Sequence, residues 1–488
     1  MTEKPVAEVP YQFSDTTSAA QVNETFGYLE AGEESGQRVR VAGRLMRNRT
    51  QGKVAFSELR DWTGAIQLFA QVGVTENFEG FIKLALGDWV GASGEVMRTR
   101  RGELSVRIDS FELLAEARRG FGDKWRGVSD IDIRYRQREV DLWANEGVRE
   151  TFLLRSRLTS ILRRLLDARG YVEVETPVLQ PLAGGANARP FVTHFNALHA
   201  EFYLRIAPEL YLKRLVVGGF ERVYEIARVF RNEGLSPRHN PEFTMLEAYQ
   251  VYADYFDMAD LIESLVSTAA EELLGSRTIT FQGQELDLSP PWRRLPMTDA
   301  IEEVTGVRVD LSMDHDELVA RAKQLDVEVE ESAGPGKILL EIYEKTTEAA
   351  LAGPVHVIDY PAEVSPLTRR HRSKPGYVER LTPILAGREI AEAYSELIDP
   401  DDQRARMVAQ QQARAAGDEE AMQLDEDFLR ALEHGMPPTG GIGIGLDRLA
   451  MLLSDRPNIK EVLLFPALRP DGRDPSAGES TGDEPDGA

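Results

Sequence analysis

Residues Phe220 to Tyr249 read FERVYEIARVFRNEGLSPRHNPEFTMLEAY. At strand period Glu225, Ala227, Val229 and Arg231 share one face, and beyond a turn-rich loop Phe243, Met245, Glu247 and Tyr249 do the same. Two strands joined by a charged loop make a hairpin. One face of it carries a guanidinium, an aromatic ring, a carboxylate and a phenol, a set that a face built only for packing would not collect. The loop Asn232 to Pro241 adds Arg238 and His239, with Gly234 and Pro237 setting its turns. Arginine forks suit carboxylates and phosphates, so this hairpin is expected to floor a site for a polyphosphate or acyl-phosphate ligand. Taken alone, the segment is also readable as an exposed, salt-bridged hairpin.

Composition narrows the choice. A chain of 488 residues exceeds one typical domain, so two or three are expected. A hydrophobic content of 42% and a charged content of 28% describe a globular protein. No apolar run is long enough to span a membrane, and MTEKPVAEVPYQ lacks a signal-peptide core, so the cytoplasm is the expected compartment. The absence of cysteine excludes disulfides and thiolate metal sites. The histidines show no HExxH spacing and there is no GxxxxGK[ST], so ATP, if used, is held by another device. A net charge of -24 argues against indiscriminate nucleic-acid binding. Local charge differs: Arg38, Arg40, Arg44, Arg47, Arg49 and Lys53, then Arg98, Arg100, Arg101 and Arg107, allow a basic face on an acidic protein.

In chain order, residues 1–35 lack periodicity and are expected to be a loosely ordered lead-in. Within 36–117 the runs VRVAGRLM, VAFSELRD, GAIQLFAQ, DWVGASGEVM and LSVRIDSFELL predict five strands, suited to an OB-type barrel. Such barrels bind single-stranded nucleic acid through stacking and a basic groove. Residues 118–145 are basic and glycine-punctuated, as a hinge should be, and 146–470 form a second domain. Thr151 to Arg169 predicts an amphipathic helix with Leu154, Leu158, Ile161, Leu162 and Leu165 on one stripe, followed by a strand YVEVETP. Residues 254–375 read as a mostly helical insertion, interrupted by a hairpin in EELLGSRTITFQGQELDL and assigned no chemistry. GREIAEAYSELID, Gly387 to Asp399, puts Glu392, Tyr394 and Glu396 on one strand face with Glu389 nearby. GGIGIGLDRLAMLL, Gly440 to Leu453, is a glycine-spaced strand entering a helix whose first turn holds Arg448, a pattern of close packing or of ligand approach to backbone. The polar, acidic residues 471–488 are expected to be disordered.

FRNEGLSPRHNPEFT resembles motif 2 of the class II aminoacyl-tRNA synthetases. With APELYLKRLVVGGFERVYEI before it and MLEAY after, the segment is similar to the lysyl-tRNA synthetases. The helix and strand from Thr151 to Pro177 resemble motif 1, Gly440 to Leu453 resembles motif 3, and the likeness runs from about Val39 to Pro470. It implies an α+β fold: an N-terminal OB-type β-barrel followed by a class II synthetase antiparallel-sheet catalytic domain flanked by helices. It further implies a homodimer joined through motif 1, acting on L-lysine, ATP and tRNA(Lys) with Mg2+, and no membrane.

The carboxylates Glu209, Glu233, Glu247, Glu389, Glu392 and Glu396 stand against Arg231, Arg238 and Arg448 in this inventory. A cationic amino acid has two ammonium groups to satisfy and one carboxylate that must react, which the set can match; an acidic substrate would want another cation. The resemblance assigns the roles. Glu209 and the backbone of Gly185 hold the α-ammonium, Glu247, Tyr249 and Glu396 the side-chain ammonium, and Tyr394 the aliphatic stem. Arg231, Glu233 and Arg448 are the catalytic groups, Arg231 bridging the substrate carboxylate and the α-phosphate. Phe243 and Arg448 sandwich the adenine, Arg238 and His239 lie near the outer phosphates, and Glu389 holds the magnesium. Phe56, Gln67 and Glu103, taken as strand residues, read the anticodon.

Two positions depart from the family pattern. Thr382 replaces an acidic residue, and Glu392 replaces an asparagine that faces the substrate carboxylate. The expectation is that Glu392 supplies part of the charge missing at Thr382. Two other functions stay open on sequence: a lysine-activating paralogue with a non-tRNA acceptor, and a catalytically silent tRNA-binding or regulatory protein.

Overall fold

The computed structural model describes residues 9–119, 128–330 and 333–470. They form two compact units, one running to Arg134 and including Glu139–Asn145, the other made of Tyr135–Arg138 and the chain from Glu146. The division falls within the stretch expected to be a hinge, 118–145. Part of that stretch, 120–127, lies outside the described residues, as do the start of the lead-in and the tail 471–488.

In the first unit, strands Glu34–Gln51, Val54–Arg60, Ala65–Gln71, Trp89–Arg98 and Leu104–Ala115 close into a barrel. Strict alternation places Ala55, Ser57 and Leu59 inside and Phe56, Glu58 and Arg60 outside, so the period-2 reading sets the barrel's two faces. The expected loose lead-in is corrected at Ala19–Phe26, a helix capped by Ser18 that buries Val22 and Phe26 in the barrel core. A helix this short gives too few turns for a periodic signal.

The second unit is built on an eight-stranded sheet. Its order is Arg293–Pro296, Val355–Pro361, Tyr377–Ile384, Ala391–Ser395, Thr439–Gly445, Glu242–Val251, Arg222–Phe230 and Val172–Glu173. Only the pairings at its two edges are parallel. The hairpin has the expected register: Glu225 opposes Glu247, Ala227 opposes Met245 and Val229 opposes Phe243. Helices Val148–Asp167 and Tyr255–Leu274 cover one side of the sheet, burying Leu158, Leu162, Leu165, Ile262 and Leu265. The other side is left for the cavity described below.

Two expectations need correction here. The strand YVEVETP shrinks to Val172–Glu173. The stretch 254–375 contains two strands of the main sheet, Arg293–Pro296 and Val355–Pro361, besides helices Met297–Thr305, His315–Gln324 and Pro335–Thr346 and the expected hairpin of Thr278–Phe281 with Gln284–Asp287. Val355–Pro361 is buried on both faces, so it lacks the alternation that marks a half-exposed strand.

Candidate active site

The hairpin, the Ala391–Ser395 strand, the Thr439–Gly445 strand and helix Glu209–Val217 enclose a cavity of about 530 Å³. Gly185, Glu209, Arg231, Glu233, Arg238, His239 and Phe243 line it, as do Glu247, Tyr249, Glu389, Glu392, Tyr394 and Arg448. Glu396 sits behind this wall, and a Cβ on Gly441 would collide with its Oε1 and with the Tyr249 ring. That glycine is the condition for bringing Glu396 against the tyrosine. Gly185, at φ 89°, turns in the left-handed region, and a side chain there would press on Ala207 and Glu209.

At one end of the cavity carboxylates dominate. Glu247 is buried and accepts a hydrogen bond from the Tyr249 hydroxyl at 3.1 Å. Burial first, then the charge of Glu209, pushes its carboxyl well above the usual range. Glu209 is also raised by burial, against the pull of Lys213, and Glu396 is pushed up to about 7 by burial, again opposed by Lys213. Lys213 is completely buried, with its Nζ 2.6 Å from Glu209 Oε1 and 2.5 Å from Glu396 Oε2. The sequence reading missed it, because a lysine in an amphipathic helix normally marks the solvent face.

At the other end guanidinium groups dominate. Arg231 follows the first hairpin strand with its guanidinium carbon 5.1 Å from the Phe243 ring centroid, and among the described residues its buried Nε has no hydrogen-bond partner. Arg448, in the first turn of helix Leu446–Leu453, donates to Glu389 Oε1 at 2.9 Å and lies 3.5 Å from His239 Nε2. Burial and the Arg448 charge lower the His239 pKa, favouring the neutral ring. Arg238 comes within 4.0 Å of Glu348, in the stretch that had been assigned no chemistry; Glu344 from that stretch also lines the cavity.

Glu392 has an unanticipated partner. Its Oε1 accepts from the Arg380 guanidinium and its Oε2 from the Tyr394 hydroxyl. Arg380 itself packs on the Tyr360 ring at 4.3 Å. Thr382 is buried and carries no charge. Among the described residues no group of three or more histidine or acidic side chains forms a metal-holding set. The donors therefore fit no resident metal cage; Glu389 as one carboxylate fits a magnesium that arrives with nucleotide phosphates.

On the barrel, Phe56 faces outward and meets Phe69 from the neighbouring strand, ring centroids 5.2 Å apart. Phe69, which the sequence reading left out, is legible as the outward residue two places beyond Gln67. Gln67 Nε2 donates to Ser105 Oγ at 2.8 Å. Glu103 is exposed in the turn just before the Leu104–Ala115 strand, a correction to its expected place within a strand. The expected basic face is partly neutralised: Arg38 pairs with Asp109 at 2.5 Å, and Arg107 pairs with Glu34 at 2.5 Å and Glu95 at 2.6 Å.

Comparison with known proteins agrees with this division of the chain. Residues 130–469 match the family described as tRNA synthetases class II (D, K and N). The chain belongs to that family. Residues 39–114 of this synthetase match the OB-fold nucleic acid binding domain. It is 50% identical over 466 residues to the lysine–tRNA ligase of Carboxydothermus hydrogenoformans, covering 94% of each chain. It is 52% identical over 468 residues to that of Synechococcus sp. CC9605, covering 94% of this chain and 93% of the relative. The lysine–tRNA ligase of Moorella thermoacetica is 49% identical over 466 residues, 94% of this chain and 93% of its own length. Among the described residues no helix is long and apolar enough to cross a membrane.

Proposed function

We propose that this synthetase joins L-lysine to tRNA(Lys) at the expense of ATP. The observation that carries the reading is the polarity of the cavity, with Glu209 and Glu247 lining one end and Glu396 behind them, and Arg231, Arg238 and Arg448 lining the other. A dicationic amino acid fits the acidic end, leaving its carboxylate toward the guanidinium groups and a nucleotide.

In this account Glu209 and Gly185 hold the α-ammonium, Glu247, Tyr249 and Glu396 the side-chain ammonium, and Tyr394 the stem. The lysine carboxylate oxygen attacks the α-phosphorus of ATP, pyrophosphate leaves, and lysyl-adenylate forms. Arg231 spans the attacking carboxylate and the α-phosphate, and its unpartnered Nε supports that task. Arg448 and Phe243 take the two faces of the adenine, Arg238 and the neutral His239 stand by the outer phosphates, and Glu233 assists at the adenine. Magnesium carried on the phosphates would be met by Glu389 and would offset their charge when bound. The 3'-terminal hydroxyl of the tRNA then attacks the acyl carbon and AMP departs, while Phe56, Gln67 and Glu103 read the anticodon, with Phe69 beside them.

Exposed Val172 in the region resembling motif 1, with exposed Leu179, Val192 and Phe195 in the segment that follows it, supports a homodimer through that surface. The cytoplasm, where these substrates meet, is the proposed compartment. Charging of purified tRNA(Lys) with labelled lysine tests the reading: acid-precipitable, alkali-labile lysyl-tRNA is expected, and its absence despite lysyl-adenylate formation would point to another acceptor.

A further inference from the structure

An ammonium of the chain's own lies buried behind the acidic end of the cavity. Lys213 lies one turn beyond Glu209 on helix Glu209–Val217 and is fully buried. Its Nζ reaches Glu209 Oε1 at 2.6 Å, Glu396 Oε2 at 2.5 Å and the Leu367 carbonyl at 3.5 Å. The ammonium thus meets three oxygens from three separate chain segments, hydrogen-bonded to two and ion-paired with the third. Each carboxylate keeps a second oxygen, and among the described residues neither buried oxygen of Glu396 has a hydrogen-bond partner, Oε2 having only its ion pair with Lys213.

We propose that Lys213 is a specificity-determining positioning residue: its ammonium ties Glu209 to Glu396 and thereby sets the distance between the two subsites that receive the substrate's ammonium groups. The proposal rests on the lysine reading above. One oxygen of each carboxylate is engaged by Lys213, so the placement of the free oxygens, and with it the length of diamino acid that reaches both, is set through this ammonium.

The charge of Lys213 has a second effect. Glu209, Glu247 and Glu396 face one another with Tyr249 beside them, and Glu392 nearby is already paired with Arg380. Burial favours the protonated form of each acid, and Lys213 opposes this at Glu209 and Glu396. Without it burial would raise both acids unopposed by that charge, and they would hold ammonium groups less well.

The test compares wild type, Lys213→Met and Lys213→Arg in amino-acid-dependent ATP–pyrophosphate exchange, with lysine and ornithine, across pH 6 to 9. Wild-type exchange with lysine checks the underlying reading separately; without it that reading fails before the variants are considered. Lys213→Met is expected to raise KM for lysine at least about tenfold at neutral pH, with a smaller change in kcat, and to move the fall in affinity to higher pH. Its preference for lysine over ornithine should shrink by about tenfold or more, the scale of one methylene. Lys213→Arg keeps the charge and alters the spacing, so it should retain the wild-type pH profile while losing discrimination; it carries the test alone if the methionine variant does not fold. A lysine-to-ornithine ratio unchanged in a folded variant, or a loss confined to kcat with the pH profile of KM intact in Lys213→Met, would overturn the proposal.

Discussion

Arg231 stacks its guanidinium on the ring of Phe243, 5.1 Å from carbon to centroid, across the two strands of one hairpin. The contact holds the guanidinium plane while leaving its buried Nε without a partner, an arrangement prepared for an incoming anion. Replacing Arg231 by Lys keeps a charge but loses the fork. Lysine-dependent pyrophosphate exchange should fall by about 100-fold or more, with an unchanged circular dichroism spectrum. Retained exchange would mean that Arg231 does not touch the reacting groups.

The acidic end of the cavity predicts a pH dependence with a definite sign. Burial pushes the Glu396 carboxyl up to about 7, with the Lys213 charge opposing it. A raised carboxyl favours the protonated form, so the empty pocket takes up a proton as pH falls through about 7, and an ammonium ligand that needs the anion binds more weakly there. KM for lysine should therefore rise below this window by up to about tenfold per pH unit and be level above it. In Glu396→Gln the rise should shrink to the part contributed by Glu209 and Glu247, on a higher KM throughout.

Glu392 is ion-paired with Arg380 and accepts a hydrogen bond from Tyr394, partners that compete with the expected role of making up for the charge missing at Thr382. Glu392→Gln should leave the magnesium midpoint of pyrophosphate exchange where it is. It should lower stability by about 1–3 kcal/mol, the cost of leaving the Arg380 guanidinium poorly paired. A midpoint displaced several-fold would restore the metal-ligand reading. By the same argument the nucleotide-free protein should bind manganese no more tightly than millimolar, measured by electron paramagnetic resonance.

The paired rings of Phe56 and Phe69 predict a defect separable from amino-acid activation. Alanine at either position should raise KM for tRNA(Lys) by a factor matching loss of one stacked base, about 1–3 kcal/mol, and leave lysine-dependent exchange unchanged. Loss of exchange in either variant would instead indicate damage to the fold.

Much of this architecture is legible in the chain because its signals are local. The hairpin's two faces follow from period-2 spacing, and Phe243 and Glu247, on the face shared with Glu225 and Val229, line the cavity. Val355–Pro361 was not legible, since a strand buried on both faces has no alternation to read. Lys213 and Arg380 were missed for a different reason. Their roles depend on carboxylates remote in sequence, Glu396 for one and Glu392 for the other, and no spacing rule connects residues brought together by separate strands and a helix.

The most direct test of the central claim is amino-acid-dependent ATP–pyrophosphate exchange by the full chain, run with each of the twenty amino acids in turn. Exchange with lysine, and none above background with aspartate or asparagine, is the predicted result. Exchange driven by aspartate or asparagine, or by no amino acid at all, would contradict the account.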